Sequence, residues 1–136
     1  MTTVFADTFY YLALLNPADR SHAKAVEFSR SFKARTLTTA WVITEVGDAL
    51  AAPAQRKLFV RFLESLRNNP SVTVLPPSGE LFEEGIGLYS RRPDKTWSLT
   101  DCISFASMER YGLKEALTGD RHFEQAGFSA LLCRAD

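Results

Sequence analysis

The chain lacks most of the features that mark secreted, metal-finger and nucleotide-binding folds. Its two cysteines, Cys102 and Cys133, stand far apart and without CxxC spacing. Neither a zinc finger nor a disulfide framework is signalled, and reduced thiols in a cytoplasmic setting are expected. None of the seven glycines precedes Gly47, which removes the glycine fingerprint that a dinucleotide-binding fold places after its first strand. A GxxxxGK run closed by Ser or Thr is missing too, so a P-loop is excluded. The net charge is zero; that argues against holding nucleic acid by bulk positive charge, while leaving room for a local basic face. The first apolar stretch has no basic region before it and is broken by Asp7, so neither a signal peptide nor a membrane span is expected.

What is present suits one compact soluble domain over residues 1–136. Hydrophobic residues make up 46% and charged residues 24%, and the length leaves no room for a second ordinary domain and a linker. Thr3–Asp7 reads as a short buried strand ending in an acid, and Thr8–Leu15 as an apolar helix closed by Asn16 and Pro17. Asp19–Lys33 has helical spacing, Thr36–Thr39 suits a strand, and Ala40–Ala51 is helical, with Pro53 opening a further helix that carries Leu58, Phe59, Phe62, Leu63 and Leu66. Ser71–Pro77 reads as a third strand. A helix through Leu81, Phe82, Ile86 and Tyr89 ends at Arg92 and Pro93, and the next runs from an N-cap at Ser98 to a stop at Gly112. Glu115–Asp120 is the expected fourth strand, Arg121–Ala126 a short helix, and Ser129–Arg134 the fifth strand. Strands alternate with helices and no two-residue hairpin joins a pair. That pattern predicts an α/β fold, a three-layer α/β/α sandwich around a mostly parallel sheet of about five strands.

Of the sixteen acids, four stand where solubility does not account for them. Asp7 closes the first strand and Asp120 the fourth, so both face the crevice beyond the carboxyl ends of a parallel sheet, where ligands bind. Asp101 opens the helix after Ser98. Glu45 lies within an apolar helical segment with no basic residue within four positions. Each has a structural reading: Asp7 and Asp120 as helix N-caps, Asp101 in a capping box, Glu45 paired with a distant arginine. If the four converge, like charges about 4 Å apart cost roughly 4 kcal/mol per pair at an effective dielectric near 20. A cation is then required. An all-carboxylate set with no His or Cys selects a hard ion, Mg²⁺ or Mn²⁺, one or two in number, and such an ion activates water for attack on a phosphodiester. Gly119, just before Asp120, is expected to let the strand end turn tightly.

The segments VFADTFYYLALLNPADRSHAKA, LTTAWVITEVGDAL, SLTDCISFASMERYG and LTGDRHFEQAGF occur in the order and spacing of the PIN-domain nucleases. Nearly the whole chain resembles the small single-domain members of the virulence-associated protein C (VapC) type, the toxins of toxin–antitoxin pairs. The resemblance implies that Asp7, Glu45, Asp101 and Asp120 form an acidic quartet holding Mg²⁺ or Mn²⁺, with Thr8 and Thr100 orienting carboxylates or water. It further implies an endoribonuclease that hydrolyses RNA with a metal-activated water, acts as a homodimer, and is silenced by a cognate antitoxin. Two other readings share the fold: a PIN module that only binds RNA or a partner, and an RNA-processing nuclease without a toxin role.

Arg121, His122, Arg91, Arg92 and Lys95 are the candidates for contact with RNA. For Arg121 the alternatives are a phosphate contact or plain solvation. For His122 they are donation to Asp120 or to RNA, or packing on Phe123. Trp41, Trp97 and Phe9 offer faces on which bases can stack, or can serve as packing.

Overall fold

The computed structural model describes residues 2–133. Five strands, β1 (Thr2–Ala6), β2 (Ala34–Thr39), β3 (Val72–Leu75), β4 (Glu115–Leu117) and β5 (Ser129–Ala130), form one all-parallel sheet in the order β3-β2-β1-β4-β5. Seven α-helices connect them: α1 (Thr8–Leu15), α2 (His22–Ser31), α3 (Ala40–Ala49), α4 (Arg56–Arg67), α5 (Gly79–Arg91), α6 (Leu99–Arg110) and α7 (His122–Gln125). Parallel crossovers are right-handed. The chain steps outward from β1 to β3, then returns past β1 to β4 and β5, so α1 to α4 cover one face and α5 to α7 the other. Most helix packing follows this division, with α1 against α2 and α3, α3 against α4, and α6 against α5 and α7, while α3 also meets α6 across it.

The carboxyl-terminal ends of the strands are buried, where helices cover both faces, and their sequences read accordingly. Val4, Phe5 and Ala6 of β1 are fully buried, and Phe5 pairs with Leu37 of β2 and Ala116 of β4. Behind β4, Phe105 packs edge-on to Phe123 at 4.9 Å and to Trp97 at 5.1 Å. Each fully buried side chain of this size contributes about 1.5–3 kcal/mol. On the opposite face Tyr11 meets Phe62 edge-on at 4.9 Å.

Two glycines have clear tasks. Gly112 follows α6 with φ +66, and the Leu113 and Gly112 N–H groups donate to the carbonyls of Met108 and Glu109; this is the paired bonding that ends a helix at a left-handed residue. Gly85, inside α5, lies where a Cβ would stand 2.3 Å from Ile103 Cγ1. It lets α5 and α6 approach closely, and the ion pairs from Arg110 to Glu80 and Glu84 span the same seam.

Several boundaries differ from the sequence expectation by a few residues, three of them after α6. The fourth strand stops at Leu117, not Asp120, because Thr118 turns its hydroxyl to the Asp7 carboxylate and to the Asp120 N–H instead of continuing a ladder. The fifth strand has two residues and passes into a 3₁₀ turn at Leu131–Cys133, with the Leu132 N–H donating to the Thr118 carbonyl; Arg134 lies outside the described residues. The short helix α7 begins at His122 and ends at Gln125. No helix among the described residues is long and apolar enough to cross a membrane.

Candidate active site

The strand order reverses at β1 and β4, and a reversal of this kind opens a crevice at the carboxyl ends of the strands. Asp7 follows β1 directly, and its N–H continues the ladder by donating to the Leu117 carbonyl at 3.3 Å. Its side chain makes no cap bond to α1. Instead Oδ2 accepts the Thr118 hydroxyl at 2.9 Å, so the helix-cap reading of this carboxylate does not hold. Only 5% of Asp7 is exposed. Burial pushes its carboxyl up to about 7, and the neighbouring carboxylates of Asp101 and Asp120 add to the rise against hydrogen bonds from Thr118 and the Thr8 backbone.

Asp101 occupies the first turn of α6 in a full capping box. Ser98 Oγ accepts the Asp101 N–H at 2.9 Å, and Asp101 Oδ2 accepts the Ser98 N–H at 3.1 Å. The capping reading is therefore correct and incomplete. The same Oδ2 lies 3.0 Å from His122 Nδ1, and burial, joined by the charge of Asp120, raises the Asp101 carboxyl despite the Ser98 and His122 bonds. Asp120 folds its Oδ1 onto the His122 N–H at 2.9 Å, an Asx-type turn, and that oxygen lies 3.4 Å from His122 Nδ1.

Glu45 reaches this end of the sheet by a short route. Thr39 both ends β2 and caps α3, its hydroxyl accepting the Val42 N–H, so Glu45 falls in the second turn above the strand. The Thr8 hydroxyl donates to Glu45 Oε1 at 2.5 Å. Among the described residues a threonine thus holds this half-buried carboxylate, and no arginine pairs with it. Thr8 sits next to Asp7 in the chain and ties Glu45 to the Asp7 side of the crevice.

The structure unites Asp101, Asp120 and His122 most tightly, with one ligand-type atom of each within 4.8 Å of the others. Among the described residues the Thr100 side chain, half-buried in the first turn of α6, has no hydrogen bond to a quartet carboxylate. Arg121 is exposed and pairs with Glu124 at 2.9 Å. Arg92 pairs with Asp94 at 3.0 Å, stands 5.2 Å from the Trp97 ring centre, and Lys95 stands 5.8 Å from it. Arg91, exposed at the end of α5, lines with Arg92, Trp97 and Arg110 a groove of about 690 Å³ between α5 and α6. The aromatic candidates are packed: Trp97 is buried and donates to Gln125 at 3.0 Å, and Trp41 lies on Leu37, Leu75 and Leu81.

Phe9 gives Gly119 its reason. A Cβ there would stand 2.4 Å from Phe9 Cζ, and Gly119 is not among the positive-φ glycines. The expected tight turn is replaced by close approach of a ring. Sequence reading missed Thr118, the hydroxyl on Asp7, and Thr96, whose Oγ1 lies 3.3 Å from His122 Nε2. Neither stands in a motif; Thr118, two residues before an acid, carries only the faint mark of a hydroxyl turn.

The donor set fits a divalent cation. Burial and like-charged neighbours raise the carboxyls of Asp7 and Asp101 against their hydrogen bonds, and Asp101 and Asp120 share the His122 ring nitrogen. Comparison with known proteins supplies the lineage. Residues 4–129 match the PIN domain. The chain belongs to the PIN-domain family. This PIN domain is 27% identical over 125 residues to the 23S rRNA-specific endonuclease VapC20 of Mycobacterium tuberculosis, spanning 92% of the chain and 95% of VapC20. The crystal structure of that protein, a sarcin–ricin loop cleaving toxin, superposes with a TM-score of 0.84 at 26% identity over 92% of the chain and 95% of VapC20. FitAcB from Neisseria gonorrhoeae shares the fold with a TM-score of 0.65 at 18% identity, over 93% and 94% of the two chains. FitAB bound to a DNA fragment matches with a TM-score of 0.70 at 16% identity, over 98% and 97%.

Proposed function

We propose that this PIN domain is a divalent-metal-dependent endoribonuclease that hydrolyses RNA phosphodiesters, and that it is the toxin of a toxin–antitoxin pair. The observation that carries the reading is the gathering of acids at the reversal point of a parallel sheet, where Asp7 directly follows the first strand and Asp101 and Asp120 offer ligand atoms within 4.8 Å of each other and of His122. Similarity to VapC20 supports RNA as the substrate, and the 23S rRNA sarcin–ricin hairpin is the first substrate to test. A homodimer and a cognate antitoxin belong to the same reading.

In this reading Asp7, Glu45, Asp101 and Asp120 hold Mg²⁺ or Mn²⁺. When bound, the ion supplies Lewis acidity, lowering the pKa of attacking water and offsetting charge on the phosphoryl oxygens. The remaining work is positional and falls to the chain itself. Thr118 fixes the Asp7 carboxylate, Thr8 fixes Glu45, and the capping box with Ser98 fixes Asp101. Each bond removes rotamer freedom that would otherwise be lost on binding, which is how a surrounding shell raises both affinity and rate. In the same reading the exposed Arg91 and Arg121 contact RNA phosphates, together with Arg92 and Lys95, which flank Trp97.

Purified protein with Mn²⁺ or Mg²⁺ is expected to cut the hairpin, and Asp7→Asn or Asp101→Asn to abolish cutting with the fold retained. Cleavage that persists in both variants sinks the assignment.

A further inference from the structure

His122 stands apart from the acidic quartet that the site residues suggest, yet it makes the closest side-chain approach to two of its members. Its Nδ1 lies 3.0 Å from Asp101 Oδ2 and 3.4 Å from Asp120 Oδ1. Adjacent corners of an octahedron with bonds of ~2.1 to 2.4 Å lie ~3.0 to 3.4 Å apart. Both distances from Nδ1 therefore match neighbouring ligands of one ion, and one ligand-type atom of each of the three residues lies within 4.8 Å of the others. Both oxygens are pinned in place by backbone donors, the Ser98 N–H on Asp101 and the His122 N–H on Asp120. The imidazole is held from its other side, where Thr96 Oγ1 lies 3.3 Å from Nε2.

We infer that His122 is a direct ligand of the divalent cation through Nδ1, completing a site with one imidazole nitrogen and the oxygens of Asp101 and Asp120. The inference rests on the metal-dependent nuclease reading above and adds to it a nitrogen ligand. In the metal-free Nδ1–H tautomer, Nδ1 donates toward the carboxylates and Nε2 accepts from the Thr96 hydroxyl. When the ion binds, the proton on Nδ1 leaves to solvent and one is taken up at Nε2, so the ring's charge does not change. Nε2–H then donates to Thr96. A threonine hydroxyl can donate or accept, so Thr96 serves both tautomers, and a ligating histidine ordinarily has such a partner on its second nitrogen. The consequence is selectivity. A nitrogen ligand favours transition ions over Mg²⁺, which prefers oxygen and water, so the site is built for Mn²⁺ ahead of Mg²⁺.

The test uses the full chain loaded with Mn²⁺ at pH 8 and reads electron spin echo modulation from nitrogen bonded to the ion. The chain has two histidines, and His22 is engaged elsewhere, its Nδ1 2.8 Å from the Ala13 carbonyl. Directly bonded ¹⁴N coupling is expected in the parent and in His22→Gln, replaced by a ¹⁵N pattern when histidine is ring-labelled. In His122→Ala the coupling should vanish and Mn²⁺ binding weaken at least about tenfold, which is the low end of what losing even the hydrogen-bonding partner of a metal ligand costs, while Mg²⁺ binding changes less. Mn²⁺ binding without nitrogen coupling in the parent overturns the ligand assignment and leaves the nuclease reading standing. No Mn²⁺ binding at all overturns both. The labelled parent decides the matter even where His122→Ala does not fold.

Discussion

A buried carboxylate that waits for a cation should weaken the metal-free protein, and Asp7 allows this to be measured. Its carboxyl is pushed up from 3.8 to about 7, chiefly by burial. Between those values the folded protein binds a proton that the unfolded chain has released. Stability of the metal-free protein therefore falls as pH rises from about 4 to about 7, then levels off. At about 1.4 kcal/mol for each tenfold change in proton affinity, the full interval is worth up to about 4 kcal/mol. Asparagine has the same shape, its Oδ1 can still accept the Thr118 hydroxyl, and it carries no charge. In EDTA at pH 8, Asp7→Asn is expected to be more stable than the parent by about 1–4 kcal/mol, with the two converging near pH 4.

Urea unfolding from pH 4 to 8.5, followed by circular dichroism, reads the difference directly as a shift in midpoint at constant slope. Asp101, raised in the same direction, leaves the variant a smaller residual fall with pH. Adding Mn²⁺ should reverse the order, since the parent gains a ligand and the variant has lost one of its holders. An Asp7→Asn protein that is less stable than the parent at pH 8 in EDTA, or one with an unchanged pH slope, would refute the argument that this carboxylate is stored at a cost.

Two further outcomes follow from the same geometry. Mn²⁺ at 100 times its Kd adds about 2.7 kcal/mol to stability, a rise of about 10 °C in Tm for a domain of this size; Glu45→Gln should shrink that rise in a thermal scan. Gly119→Ala drives a Cβ to 2.4 Å from Phe9 Cζ and is expected to cost about 1–3 kcal/mol in urea unfolding, with partial recovery in the Gly119→Ala, Phe9→Leu double variant if the ring is the obstacle.

The fold was largely legible because strand and helix periods alternate without hairpins, and the sheet is buried on both faces. Val4, Phe5 and Ala6 could only be an interior strand, and Gly112 marks the end of α6 where the structure has it. The carboxyl-terminal strands were read too long for a physical reason. Thr118 has the β-branched side chain of a strand residue, yet its hydroxyl is claimed by Asp7 and Asp120 N–H, and no local pattern reveals a partner 111 positions away. The same limit explains His122. From sequence it stands beside Phe123 and looks like packing; its contact with Asp101 spans 21 positions and depends on how α6 and α7 meet.

Caps and site residues need not compete for a side chain. Asp101 spends one oxygen, Oδ2, on the Ser98 N–H and presents the same oxygen to His122. Asp120 uses Oδ1 for the His122 N–H and for the approach to Nδ1. A carboxylate oxygen has two lone pairs, so one can fix the side chain while the other faces the crevice. The capping bond thereby becomes the support that holds the functional atom, and a sequence that looks like a helix start is also what a rigid ligand requires. Asp7 departs from this scheme: it caps nothing, and its rigidity comes from Thr118 and from burial. It follows that Asp7 carries an electrostatic cost in the metal-free state, because its burial is opposed only by the Thr118 hydroxyl and the Thr8 backbone and is joined by two like-charged neighbours.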